Sequence, residues 1–135
     1  MAQEYAGLTN GPEQAHLNFR FQINGTSDPD NIVPSKQGVT DIVRDSTGLF
    51  SITLAKKYPT MINCLVQVQL TAVADAQAFV GHVVSYTAST GVLVVRTCEV
   101  DGDGIPVADD PADNYWVHVS AVFCRFSNLA PSGSI

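Results

Sequence analysis

Between Leu17 and Ile23 the chain alternates without a break. Leu17, Phe19, Phe21 and Ile23 share one parity, while Asn18, Arg20 and Gln22 share the other. A two-residue period marks a strand with one face buried and one in water. Asn24-Gly25 ends it in turn chemistry, and residues 26–36, with Asp28-Pro29-Asp30 and Pro34, read as a loop. Residues 38–44 and 49–55 predict two strands joined at Asp45-Ser46-Thr47-Gly48, a hairpin in which Phe50, Ile52 and Leu54 face inward. Lys56-Lys57-Tyr58-Pro59 breaks the pattern.

The next strand is predicted over 62–72, with Cys64, Val66, Val68 and Leu70 on one face. A second hairpin spans 78–87 and 92–100 across Ala88-Ser89-Thr90-Gly91. Val92-Leu93-Val94-Val95 is apolar on both parities, as expected of a strand that is central or covered on both sides. Residues 101–114 form a polar, acidic loop. Residues 115–126 predict the last strand, whose inner face is Val117, Val119, Ala121 and Phe123. Its other face, Trp116, His118, Ser120, Val122, Cys124 and Phe126, is mixed, which suggests a second packing surface.

About seven short strands, two tight hairpins and no long helical period predict an all-β domain: an antiparallel β-sandwich or jelly-roll-like barrel. Residues 1–16 show no alternation and carry Gly7, Gly11 and Pro12, so they read as an extended N-terminal arm. Residues 17–126 form the β-domain and 127–135 a polar tail. The expected core is Leu17, Phe19, Phe21, Phe50, Ile52, Leu54, Val66, Val68, Leu70, Val117, Val119 and Phe123.

Composition narrows the function. The chain of 135 residues is 45% hydrophobic but only 15% charged, against roughly 25% in ordinary soluble domains, so its surface rests on Ser, Thr, Asn and Gln. A formal net charge of −6 with scattered cations argues against nucleic acid and anionic membranes as partners. No apolar run reaches bilayer length, and Met1-Ala2-Gln3-Glu4-Tyr5 does not resemble a secretion signal, so synthesis in a cytoplasm is expected. Cys64, Cys98 and Cys124 lie in strand-like runs without a Cys-x-x-Cys pair, and reduced, structural thiols are expected rather than a metal site.

Candidate chemistry is sparse. Five aspartates occupy residues 101–113, and Asp101, Asp103 and Asp109 could hold Ca²⁺ weakly. The EF-hand spacing fails, because Ile105, Pro106 and Ala112 stand where a ligand, the glycine and the closing glutamate belong. A solvated loop is the expected state. His16, His82 and His118 have no metal-ligand spacing, and no Gly-x-Ser-x-Gly elbow or phosphate-binding glycine loop occurs, so no catalytic residue and no cofactor is expected. Tyr115-Trp116 reads first as a core or interface pair and second as a sugar-stacking pair in a carbohydrate-binding module. The interface candidates are Tyr5 and Leu8 in the arm and Trp116, His118 and Phe126 on the last strand.

Residues 38–59 read GVTDIVRDSTGLFSITLAKKYP. This segment, about a sixth of the chain, resembles one found in small structural proteins of tailed bacteriophages. There a Val- and Arg-bearing strand enters a Thr-Gly-aromatic turn, followed by an Ile-Thr-Leu strand and a Tyr-Pro break. Many such proteins decorate capsids. The resemblance implies a virion structural protein, made in the host cytoplasm and placed on the capsid surface. Its partners would be the major capsid protein and copies of itself, often as a trimer. A tail or head-fibre component is the alternative within the same class.

Overall fold

The computed structural model describes residues 14–34, 38–70, 78–100 and 103–125. Among them nine strands form two antiparallel sheets: β1 (Gln14–Gln22), β2 (Ile32–Val33), β3 (Val39–Ser46), β4 (Leu49–Leu54), β5 (Thr60–Gln69), β6 (Ala78–Thr87), β7 (Val92–Val100), β8 (Pro106–Ala108) and β9 (Trp116–Cys124). The first sheet runs β2-β1-β9-β5. The second runs β3-β4-β7-β6, with β8 added to β7. No helix among the described residues is long and apolar enough to cross a membrane.

The period-two reading places the core where it was expected. Phe19, Phe21 and Ile23 from β1 and its exit, Phe50, Ile52 and Leu54 from β4, Leu93 and Val95 from β7, and Val117, Val119, Ala121 and Phe123 from β9 are buried between the sheets. Phe21 meets Phe50 with ring centroids 5.2 Å apart, and Phe123 lies 5.0 Å from both Tyr58 and Tyr86. Leu17, Val68 and Leu70 pack against this cluster as partly buried members, because they sit nearer its margins. As the double parity of Val92–Val95 suggested, β7 is central, between β4 and β6.

Several boundaries shift. β1 starts at Gln14, so the last three residues of the expected 1–16 arm belong to the sheet: Gln14 pairs Cys124, Ala15 pairs Phe123 and His16 pairs Val122. Ala15 is buried on the same parity as Leu17; its small side chain hides the alternation. Residues 1–13, including Tyr5 and Leu8, lie outside the described residues, as do Phe126 and the expected tail. The loop expected over 26–36 contains β2, and the acidic segment contains β8. Elements of two or three residues are too short to show a period. In β5, Met61 pairs Phe123 while Asn63 pairs Val122, so Ile62 is the extra residue of a bulge and is 48% exposed.

β4 and β8 cover successive stretches of the same edge of β7. β4 pairs Val92 through Arg96, and β8 takes over at Cys98. Thr97 falls in the gap. Its N–H donates to the Gly48 carbonyl at 2.7 Å, its carbonyl accepts from the Asp109 N–H at 3.2 Å, and its hydroxyl donates to the Asp109 carbonyl at 2.7 Å. One fully buried threonine thereby completes a ladder that two short strands leave open.

Candidate functional site

The outer face of the first sheet is built from the outward parities of β1, β9 and β5. Their register sets side chains in rows: Asn18–Ser120–Leu65, then Arg20–His118–Gln67, then Gln22–Trp116–Gln69. Side chains lock together within and between rows. Ser120 Oγ donates to Asn18 Oδ1 at 2.6 Å, and His118 Nε2 lies 2.6 Å from Gln69 Oε1. The Arg20 guanidinium sits 4.1 Å over the Trp116 ring. Val33 on β2 pairs with Arg20, and with Leu65 on β5 it borders a shallow, open concavity of about 370 Å³. Val33 is 40% and Leu65 59% exposed. In these three rows Arg20 is the only Lys, Arg, Asp or Glu.

Trp116 and His118 therefore stand on one surface, as their shared parity requires. Tyr115 does not join them. It is buried, edge-on to Phe79 at 6.2 Å, because adjacent residues of a strand point to opposite faces. With Tyr115 in the core and Trp116 under Arg20, the paired-aromatic sugar platform is not formed.

The acidic segment is largely committed to holding turns. Asp110 accepts from both Nε and Nη2 of Arg44, at 3.1 and 2.7 Å, and from the Gly48 N–H at 2.8 Å. The ion pair is mostly shielded from solvent; the hydrogen bond to Asp110 raises the pKa of the Arg44 guanidinium against the lowering effect of burial, and the Asp110 charge adds to the rise. Asp113 accepts from the Gly25 N–H, and Asp28 from the Arg44 N–H at 2.8 Å. Of the Ca²⁺ candidates, Asp101 lies outside the described residues and Asp103 is exposed. Asp109 accepts the Asp110 N–H at 2.9 Å. Among the described residues no three His, Cys, Asp or Glu side chains gather where they could hold a metal ion.

Sequence reading missed Asp110, Asp113 and Thr97. Arg44 carries the available signal, a cation inside a strand next to a turn and so in want of an anion. Its partner lies 66 residues away, where spacing gives no guide.

The three thiols are free. Cys98 and Cys124 are buried and Cys64 is half-buried, and burial pushes the Cys64 thiol up to about 11.

At the opposite end of the sandwich, Lys56, Lys57 and Arg125 line a concavity of about 190 Å³ beside Tyr58 and Pro59. Tyr58 is held there by its stack on Phe123 and by the Tyr86 hydroxyl, which donates to the Tyr58 carbonyl at 2.6 Å.

Compared with protein-family models, curated proteins and solved structures, the chain matches none.

Proposed function

We propose that this protein is a virion structural component: a decoration protein that lies on the capsid surface and clamps neighbouring subunits of the head. The observation that carries the reading is the outer face of the first sheet. It is broad and rigid, has Arg20 as the only Lys, Arg, Asp or Glu in its three rows, and pins its polar side chains to one another. Such a face matches a wide protein surface: its donors and acceptors are already oriented, so little side-chain entropy is lost on contact. Flanking Val33 and Leu65 add exposed apolar area. The virion setting comes from the resemblance of residues 38–59, the segment that holds β3 and β4. Repetition over a lattice turns modest single contacts into firm attachment.

An antibody against the purified domain should label the heads of phage particles from the source culture, seen by electron microscopy. Label confined to tails, or absent from particles, would overturn the assignment. The face is tested separately by Leu65→Arg combined with Ser120→Tyr. Both sites are exposed, so melting should stay unchanged while attachment to heads in co-sedimentation falls about tenfold or more. Unchanged attachment would remove the face from the interface.

A further inference from the structure

The ends of the sandwich carry opposite charge. β1, β7 and β9, nine residues each, run from one end to the other, and nine strand residues span roughly 30 Å. Lys56 and Lys57 follow the end of β4, and Arg125 follows the end of β9. The register places Thr60 and Gln14 beside Cys124, at that same end. The three cations line one concavity with Tyr58 and Pro59, and no carboxylate is among its lining residues. None of the three has an ion-pair partner among the described residues. In a chain of net charge −6, three clustered and unpaired cations call for an anionic partner.

The other end supplies one. Asp28 and Asp113 are fixed there on the backbone of Arg44 and Gly25, and Asp45 on the Ser51 hydroxyl. Asp30 is exposed nearby in sequence. Two cations share this end: Arg44 is taken up by Asp110, and Arg96 lines a concavity with Ser46 and Thr47, so the aspartates still outnumber them. Each end also leaves an aliphatic side chain in solvent: Ile62 in the β5 bulge on the basic side and Ile105, before β8, on the acidic side.

We propose that copies of this chain associate head to tail, the basic end of one seating against the acidic end of the next. The net charge does not forbid it. At about 0.1 M salt the Debye length is about 10 Å, a third of the distance between the ends, so each end responds mainly to what touches it. The contact is heterologous: it closes into a ring if the rotation per copy allows, and otherwise extends as a filament. It is independent of any capsid.

The test is sedimentation velocity on the full chain over a concentration series, in about 50 mM and about 500 mM salt. Association should appear at the lower salt and vanish at the higher. Two double variants then swap the ends: Lys56→Glu with Lys57→Glu, and Asp30→Lys with Asp45→Lys. All four positions are exposed, and thermal melts confirm folding. Each double variant alone should stay monomeric at the lower salt, since the swap reverses the sign of the basic end in one and cancels the acidic end in the other, leaving no opposed pair of ends. Mixed in equal amounts, they should associate. A parent chain that is monomeric at both salts, association that persists unchanged at the higher salt, or a mixture that stays monomeric would each overturn the proposal. Binding of inorganic phosphate to the basic end of a strictly monomeric parent would likewise assign that end to a small anion.

Discussion

A Cβ built on Gly81 would lie 2.4 Å from Val66 Cγ1 and 2.8 Å from the Val66 carbonyl oxygen. Among the described residues no hydrogen-bonded ladder joins β5 and β6, yet their edges come this close, so glycine sets how nearly the two sheets close into a barrel. Gly81→Ala should cost about 1–3 kcal/mol, read from the denaturant midpoint, because the Val66 backbone is among the opposing atoms and cannot step aside. Thr97→Val keeps the volume but removes the hydroxyl that serves the Asp109 carbonyl, and should cost about 1–3 kcal/mol for the unsatisfied group. Cys64 titrates higher in the native state than in the unfolded chain. As pH rises from about 9 to about 11, the unfolded chain gives up this proton first, so the group's contribution to stability falls across that window and is unaffected below it. Below pH 9 Cys64 should therefore react with a thiol reagent far more slowly than a free cysteine, and denaturation should abolish the difference. The inward residues could be read from alternation, because burial and parity are both local. The roles of Gly81 and Thr97 could not, because each is defined by atoms on a strand far away in sequence.

At the level of elements, the two hairpins were legible because turn chemistry and alternation agree on either side of Gly48 and Gly91, both at positive φ. β2 and β8 were not, since neither can express a period. The Arg44–Asp110 bridge ties the β3–β4 hairpin to the segment after β8, and this coupling is measurable. In a double-mutant cycle of Arg44→Met and Asp110→Asn, the double variant should be clearly more stable than the sum of the single losses predicts. Additive losses would mean that the two side chains act separately. Of the candidate site, Trp116 and His118 were legible through shared parity. The rows they join became visible only with the register of β9 against β1 and β5, which no local pattern specifies.

For the molecule as a whole, the redrawn start of β1 changes what truncation should do. A chain beginning at Gln14 keeps every described rung between β1 and β9 and is the reference. One beginning at Leu17 loses three rungs and the buried Ala15, and should melt lower by about 5 °C or more. Equal melting of the two would show that these rungs contribute nothing.

The same pairing governs how the domain answers to force. Gln14 lies opposite Cys124, so the chain enters and leaves the described fold side by side, on adjacent antiparallel strands. Tension applied through both ends loads the β1–β9 ladder at its first rung, and the backbone hydrogen bonds, which stand perpendicular to the strands, break in succession. A pull between the Gln14 end and the β3–β4 turn at the far pole would instead load many bonds together. The domain should therefore unzip at low force when stretched by its two ends and resist strongly when stretched pole to pole. Single-molecule pulling from handles at these two pairs of points would measure that mechanical anisotropy.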